Sequence, residues 1–483
     1  MKTTLLGALR GPLLGIAVAS LVLGSGPTYA QSAQDQLDER YNRALAAGYK
    51  ALFLCGAIAN AERNGSERRE ESVHEWELTG VYSAIDPIVR DLDYRVLRDA
   101  DGYITHVEVD WTDDMPPRFA DAERGDGCRL APIGLAPSMP ETAVLGSEQS
   151  SDTDKANEPA SFNFVIEGGG KAPPYKPTAI DQVLADAHED KYGEGTRTTA
   201  ALVRINREGN GLVESARYTA GFDNETPQRT WSVAKSIAAT LVGVAAHRGL
   251  LDVKDRTGRE EWQRDARRAI TVDHLLRMAS GRYSDTPGNR TDPLYAGGSL
   301  VEETATDWPL INMPGTQFRY ANNDTLMAVK AISDRHEDFD PAAFFKAVGK
   351  EHTVAETDWA GDYILSSQVW STASDLADLG QLHLNDGVLP SGERILPEGW
   401  VEYISTPSGP QPDGPFGYGA GWWLMNKSEG IPSDTFAAFG NRGQYVVVVP
   451  SRNVVIVRRG EDPAGSRFDI AAFTRDVLAA LPE

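Results

Sequence analysis

TWSVAK, at Thr230–Lys235, begins the strongest helix pattern in the sequence. Apolar residues recur at three- and four-residue steps over 237–245, and Gly249 follows them, which predicts a helix that ends near this glycine. Residues three apart lie on one face of a helix, so the amine of Lys235 can reach the hydroxyl of Ser232. The sequence therefore predicts a hydroxyl and a basic group side by side.

A serine in this position can act as a nucleophile if a neighbouring base takes its proton. The positive end of the helix dipole favours a developing alkoxide there. A lysine can be that base only if burial or a second cation lowers its pKa. In the alternative interpretation, Ser232 only caps the helix and Lys235 lies in solvent, because an S-x-x-K spacing occurs about once by chance in such a chain.

A second motif, PGTQFRYAN at Pro314–Asn322, lies downstream and contains the one Tyr-x-Asn tripeptide of the chain. The phenol of Tyr320 offers a second proton carrier. The amide of Asn322 can bond both a lysine and a substrate carbonyl. The alternative is a loop tyrosine that packs against the core.

The order S-x-x-K, then P-G-x-x-F-x-Y-x-N, resembles class C beta-lactamases and their esterase and peptidase relatives. Three further stretches are similar to segments of that family: HLLRMASG at 274–281, WSTASDLA at 370–377 and RILPEGW at 394–400. The resemblance covers about 178–483. Its closest branch is the 6-aminohexanoate-dimer hydrolases, which attack linear amides of nylon oligomers and often esters.

The resemblance implies hydrolysis through an acyl-enzyme, without a metal or organic cofactor. Ser232 would be the nucleophile, Lys235 and Tyr320 would carry protons, and Asn322 would orient them. The backbone N–H groups of Ser232 and Asn441 would form the oxyanion hole, because a main-chain donor survives side-chain changes.

One departure from the family pattern bears on the substrate. Many relatives carry Lys-Thr-Gly or His-x-Gly on the strand that lines the site, where the cation helps to hold a substrate carboxylate. The corresponding stretch here, FAAFGNRGQ at 436–444, keeps the glycine but has neither Lys nor His before it. Arg442 either replaces that cation as a substrate contact or points to solvent, and the sequence leaves both open.

We therefore expect a small-molecule amide or ester substrate, of the 6-aminohexanoate-oligomer or carboxylester kind. Two alternatives stay open. One is a beta-lactamase, or a peptidase that acts on D-amino-acid peptides of the cell wall. The other is a catalytically inert binding or regulatory protein, with the N-terminal region as its adaptor.

Composition excludes some classes of partner. The 483 residues carry a formal net charge of −23, and binding to nucleic acid needs basic clusters that release counterions. We therefore expect no nucleic-acid binding. The eight histidines lack the close spacing of metal ligands, so no metal site is expected.

The N-terminus has the order of a secretory signal peptide. Lys2 and Arg10 are basic, Pro12–Gly24 is apolar, and Ala30 is a small residue at the expected cleavage point. The apolar stretch is too short to span a bilayer comfortably. We expect a signal peptide at 1–30, cleavage after Ala30, no membrane insertion, and a periplasmic or secreted protein.

Three regions are predicted after the signal peptide. Residues 31–144 predict a small α+β module of unknown role, with a helix followed by alternating strands. Residues 145–176 are rich in Ser, Asp, Glu, Gly and Pro and predict a linker. Residues 177–483 predict the hydrolase domain.

Cys55 and Cys128 both lie in the N-terminal module and are the two cysteines of the chain. In an oxidising compartment such a pair can form a disulfide, and this is our prediction. The alternative is a pair of buried free thiols.

In the hydrolase domain, strands are predicted at 200–205, 211–218, 418–425, 435–439, 444–449 and 454–459, and terminal helices at 179–187 and 469–481. Helix, strands, many helices, strands and helix imply an α+β fold. With the resemblance, the prediction is a beta-lactamase/transpeptidase-like antiparallel sheet, flanked by terminal helices and carrying a helical subdomain.

Overall fold

Most of the chain after the predicted signal peptide is seen in a computed structural model. It describes residues 28–123, 125–137, 144–145, 163–166, 178–207, 211–283, 292–336 and 339–481. Most of the predicted signal peptide and linker lies outside these ranges, as do residues 208–210 between the strands predicted at 200–205 and 211–218. The chain divides after Tyr41 into two compact units. The features described below belong to the second unit, Asn42–Glu483, unless stated otherwise.

The helices are α1 Thr28–Arg63, α2 Glu70–Trp76, α3 Asp86–Val89, α4 Ala179–Asp186, α5 Val233–His247, α6 Val272–Leu276, α7 Asp292–Tyr295, α8 Val301–Ala305, α9 Asn322–Ser333, α10 Pro341–Ala347, α11 Ala373–Leu384, α12 Trp400–Ser405 and α13 Ile470–Ala480. The strands are β1 Tyr94–Arg98, β2 Ile104–Val109, β3 Arg118–Glu123, β4 Gly127–Leu130, β5 Val144–Leu145, β6 Asn163–Ile166, β7 Thr198–Arg207, β8 Gly211–Tyr218, β9 Gln228–Arg229, β10 Val354–Ala355, β11 Val369–Ser371, β12 Gly417–Tyr418, β13 Trp423–Leu424, β14 Phe436–Gly440, β15 Gln444–Val449 and β16 Val454–Gly460.

An antiparallel sheet, with strand order β12-β13-β14-β15-β16-β7-β8-β6, forms the centre of the hydrolase domain. Its central strands are apolar on both faces, because each face is covered. Val446 and Val448 of β15 belong to the same core cluster as α5 and α11, and Val447 and Val449 belong to the cluster of the terminal helices α4 and α13. Alternating side chains point to opposite faces of a strand, so a continuous valine run serves both layers. The predicted α+β architecture, an antiparallel sheet flanked by the terminal helices, is confirmed.

Helix α5 is buried along most of its length. The residues from Val233 to Ala245 are all buried, so burial extends around the whole helix and is not confined to the predicted apolar stripe. A fully enclosed helix needs small residues where neighbours approach closely. A Cβ on Gly243 would lie 2.6 Å from the Trp400 ring. The helix ends at its C-cap Arg248, and Gly249 follows with a φ of +72°.

The prediction of one strand over 418–425 is wrong. β12 and β13 are two short antiparallel strands, and the chain reverses between them at 419–421. Gly421 brings this reversal against α5: its N–H donates to the Leu276 carbonyl, its carbonyl accepts from Ser236 Oγ, and a Cβ there would lie 2.5 Å from the Ala239 Cβ. Close backbone contact therefore explains the glycine.

The N-terminal module contains an antiparallel sheet with strand order β4-β3-β2-β1-β5 beside α1. The sequence missed β3 and β4. Among the described residues, one helix is long and apolar enough to cross a membrane by length and composition, Ser32–Arg63 within α1, but 94% of its apolar window is buried inside the protein. Burial beneath the module accounts for its apolar character.

Helix α1 also packs directly on the hydrolase domain. A Cβ on Gly56 would lie 2.5 Å from the Trp370 ring of β11. Phe53 of α1 lies 5.8 Å from Trp231 and 6.0 Å from Trp370 between ring centroids. One aromatic cluster therefore joins the module to the residue that precedes Ser232.

A disulfide between Cys55 of α1 and Cys128 of β4 confirms the predicted pairing. We expect no free thiol when denatured, unreduced protein from the periplasm or medium is titrated, and two after reduction. A cross-link over 73 residues stabilises the fold by about 4 kcal/mol in the chain-entropy model. Two reactive thiols before reduction would contradict the bond.

Candidate active site

Ser232 lies at the N-terminal end of α5. Its side chain makes no capping hydrogen bond to the helix, so the hydroxyl is not used by the helix end. The preceding residue, Trp231, has a φ of +49°, a left-handed conformation that is uncommon for residues other than glycine. Upstream, Thr230 N donates to Val369 O at 2.7 Å, which anchors the chain to β11 before it turns into the helix.

Lys235 is the buried partner of Ser232, and its side chain is 2% exposed. Its Nζ lies 2.9 Å from Ser232 Oγ, 2.5 Å from Asn322 Oδ1 and 2.8 Å from the Ser366 carbonyl oxygen. The alternative of a lysine in solvent is therefore wrong. A buried amine needs polar partners, and here three oxygens from different segments surround it.

Tyr320 and Asn322 approach from the start of α9. Lys235 Nζ lies 5.0 Å from the centroid of the Tyr320 ring. The Tyr320 ring lies 5.4 Å from the Trp423 ring between centroids. Burial raises the pKa of Tyr320 above its usual value, although the neighbouring side chains of Ser232 and Trp423 act in the opposite direction. The structure thus brings together Ser232, Lys235, Tyr320 and Asn322.

The segment with the L-L-x-M-x-S-G pattern supports the Tyr320 loop. Met278 has a φ of +56°; its carbonyl accepts from Arg319 N at 2.7 Å and its sulfur from Ala321 N at 3.5 Å. These bonds hold the residues on either side of Tyr320. The sequence matched this stretch to the family but assigned it no role.

A buried ion pair fixes the first turn of α9. Asp324 is 1% exposed and accepts from Ser280 Oγ at 2.7 Å and from Arg282 Nη2 at 2.9 Å. A buried carboxylate requires such compensation, and removal of one partner of a buried pair typically costs about 3–5 kcal/mol. The pair therefore holds the helix that supplies Asn322.

Sequence reasoning missed the Ser366 carbonyl as a partner of Lys235. Ser366 is fully buried, and its Oγ lies 2.6 Å from the Tyr295 hydroxyl, an arrangement that fixes the residue. A main-chain acceptor leaves no residue-type signal, because every residue has a carbonyl. Nothing in the sequence could have identified it without the fold.

The end of β14 lies against the start of α5. A Cβ on Gly440 would be 2.4 Å from the Thr230 carbonyl oxygen and 3.2 Å from Ser232 N. Its φ of −127° is available to any residue, so close approach is what requires glycine here. The next residue, Asn441, carries the main-chain N–H that we expect from the sequence as the second oxyanion donor.

The hypothesis that Arg442 contacts the substrate in place of the missing cation is not supported, and neither is the alternative that it points to solvent. Arg442 is 6% exposed. Its Nε donates to Glu461 Oε2 at 2.6 Å, and its terminal nitrogens donate to the carbonyls of Trp76, Thr79 and Gly80. The guanidinium therefore binds the N-terminal module.

In the described part of the chain, no group of three or more His, Cys, Asp or Glu residues is placed to hold a metal ion. The side chains that meet at the start of α5 can perform nucleophilic attack, by Ser232, and proton transfer, by Lys235 and Tyr320.

Gly440→Ala should slow labelling of Ser232 by a fluorophosphonate by about 10²-fold, because the added methyl pushes β14 away from Ser232 N. Gly414→Ala is the matched control, since a Cβ there meets nothing within 4 Å. Circular dichroism checks that both variants fold. Equal labelling rates for the two folded variants would show that the contact at Gly440 has no bearing on the site.

The comparisons with known proteins agree with this geometry. A family model described as Beta-lactamase matches residues 185–479, more than half of the chain. No curated protein matches it. Among solved structures, one described as a 6-aminohexanoate-dimer hydrolase from Bacillus anthracis has a TM-score of 0.51 and 22% identity, and the match covers 62% of this chain and 83% of that one.

Two further solved structures are similar. A protein described as a beta-lactamase from Bacteroides dorei has a TM-score of 0.49 and 16% identity, covering 63% of this chain and 99% of that one. A D-alanine carboxypeptidase from Burkholderia cenocepacia has a TM-score of 0.46 and 17% identity, covering 63% and 98%. The family model covers strands β7, β8 and β12 to β16 of the sheet, α5 and the Tyr320 loop, and the chain therefore belongs to the beta-lactamase family.

Proposed function

We propose that the protein is an exported serine hydrolase that cleaves a small amide or ester through an acyl-enzyme on Ser232. One observation carries the proposal: the buried amine of Lys235 is shared between Ser232 Oγ and two oxygens that can only accept, Asn322 Oδ1 and the Ser366 carbonyl. Two N–H bonds to those acceptors leave a third tetrahedral direction of the nitrogen pointing at Ser232 Oγ.

The order of proton transfers follows from the two candidate bases. Because burial raises the pKa of Tyr320, its phenol keeps its proton in the resting site. Lys235 therefore receives the Ser232 proton as Oγ attacks the carbonyl carbon. Tyr320 donates its proton to the leaving group and regains one from Lys235. Water then attacks the acyl-enzyme and releases the acid.

The negative charge of the tetrahedral intermediate forms beside Ser232 N. The N–H groups of Ser232 and Asn441 are the donors that we propose for this oxyanion, and the helix dipole of α5 acts in the same sense. Fixed donors need no reorganisation during the reaction. The close approach of Gly440 to Ser232 N supports this assignment, because Asn441 is the next residue along the chain.

Neutral substrates fit the oxyanion strand better than carboxylates. The residues before Gly440 are Ala437, Ala438 and Phe439, and Arg442 is held by Glu461 and the N-terminal module. A substrate carboxylate would meet no cation on this strand. It would therefore lack a charge-assisted hydrogen bond that is worth roughly 1.5–3 kcal/mol. We therefore propose an amide or ester of the 6-aminohexanoate-oligomer or carboxylester kind, ahead of a beta-lactam or a D-amino-acid peptide.

Export is part of the proposal. The order of residues at 1–30 is that of a signal peptide, and the Cys55–Cys128 disulfide suits an oxidising compartment. The two observations are independent of each other, which strengthens the proposal.

Lys235→Ala and Tyr320→Phe should each lower kcat by about 10²–10⁴ and change KM little, because both act on the proton in the transition state. Ser232→Ala is the inactive reference and should lose turnover and covalent labelling. Stopped-flow measurement of acylation with a p-nitrophenyl ester separates binding from chemistry. An unchanged kcat with a raised KM would mean that these residues only bind substrate.

A short-chain p-nitrophenyl ester should be hydrolysed with at least about tenfold higher kcat/KM than a chromogenic cephalosporin. The factor corresponds to about 1.4 kcal/mol, the lower end of the lost carboxylate bond. Both substrates are assayed with the same enzyme preparation, and Ser232→Ala gives the background. The reverse ranking would place the beta-lactamase alternative first.

A further inference from the structure

A cleft of about 310 Å³ lies beside the oxyanion strand, and two parts of the chain form its walls. Trp231, Gly440 and Asn441 line it from the hydrolase domain, and Val81 and Tyr82 line it from the N-terminal module. The volume is at the lower end of the range for small-molecule sites. The family match begins at residue 185, so the module's wall lies outside the matched family.

Tyr82 connects the module directly to two residues beside the site. Its hydroxyl accepts from Asn441 Nδ2 at 3.5 Å, and its ring packs edge-to-face on Trp231 with centroids 6.2 Å apart. Tyr49 of α1 also packs edge-to-face with Tyr82, with centroids 6.4 Å apart. One side chain of the module thus touches the residue before Ser232 and the residue that carries the proposed oxyanion donor.

The loop that carries Tyr82 is held rigidly in place. Arg442, next to Asn441, donates to the carbonyls of Thr79 and Gly80. Ala464 N donates to Gly80 O at 2.8 Å, and Val81 N donates to Asp86 Oδ1 at 2.8 Å. Because bonds from the hydrolase domain fix the loop, Tyr82 is a built wall of the cleft.

The register of the sheet indicates which half of a substrate would enter the cleft. Trp423, whose ring lies 5.4 Å from the Tyr320 ring between centroids, pairs with Ala437 near the start of β14. The cleft lies at the opposite end of the strand, beyond Gly440. A leaving group must reach Tyr320 for its proton, so it lies toward Trp423, and the other substituent of the carbonyl points to the cleft.

We propose that this cleft is the acyl-group subsite, that it takes a compact apolar acyl chain, and that Tyr82 determines the length of chain it accepts. The proposal rests on the proposed function of Ser232. The walls of the cleft include the rings of Tyr49, Tyr82 and Trp231, against which a hydrocarbon chain can pack. The charged side chains of Arg442, Asp462 and Arg467 also line it, and the first two are already paired, with Glu461 and Arg458. The N-terminal module is then part of the active site and not a separate adaptor.

The experiment measures kcat/KM for p-nitrophenyl acetate, butyrate and octanoate with the wild type, Tyr82→Ala and Tyr82→Trp. Opening the cleft should raise the octanoate-to-acetate ratio of Tyr82→Ala by at least about fivefold, and filling it should lower the ratio of Tyr82→Trp by a similar factor. Tyr82→Phe keeps the ring, so its octanoate-to-acetate ratio should stay within about twofold of the wild-type ratio. A second series consists of the acetates of different phenols, which vary the leaving group. The order of their kcat/KM values should be the same in the variants as in the wild type.

Tyr103→Ala is the matched control, because Tyr103 belongs to the same module but is 47% exposed and lies outside the cleft lining. Fluorophosphonate labelling confirms that each variant keeps a reactive serine; if Tyr82→Ala fails to fold, Tyr82→Trp still tests the proposal. Unchanged acyl-chain ratios in the folded variants, or a change confined to the leaving-group series, would overturn it. A wild type without Ser232-dependent ester turnover would instead contradict the proposed function itself.

Discussion

The burial of one amine at the start of a fully enclosed helix is the constraint on which the site depends. Lys235 is almost fully withdrawn from water, and an amine in that position needs oxygen partners. They come from Ser232 on the same helix, from Asn322 at the start of α9 and from the Ser366 carbonyl before β11. Satisfying this single group therefore joins three segments that are far apart in the sequence, and their meeting point is the chemical site.

The N-terminal module extends the same principle to the oxyanion strand. Arg442 has a φ of +55°, a costly conformation for a residue with a side chain, and its guanidinium is held by Glu461 and by carbonyls of the module. The turn that positions Asn441 is thus fixed from outside the matched family domain. Trp231, also left-handed, packs against Phe53 of α1. Both backbone segments that flank the proposed oxyanion hole therefore depend on contacts with the module.

Much of the fold and site could be predicted from local sequence, and the remainder depends on tertiary contacts. The pair Ser232 and Lys235 follows from helical spacing, and Tyr320 was found through its motif and a family resemblance. The Ser366 carbonyl has no side-chain signature. The role of Arg442 depends on carbonyls more than 360 positions away in the chain. The strand predicted at 418–425 is interrupted by a reversal, because Gly421 must lie against α5, a contact that no local pattern contains.

The central claim is that Ser232 forms a covalent acyl-enzyme, and mapping the adduct tests it most directly. The wild type is treated with a fluorophosphonate, digested and analysed by tandem mass spectrometry. The account predicts one adduct per chain, on the peptide that contains Ser232, formed more slowly after preincubation with a hydrolysable ester. An adduct on another serine, or hydrolysis that continues in protein fully modified at Ser232, would contradict it.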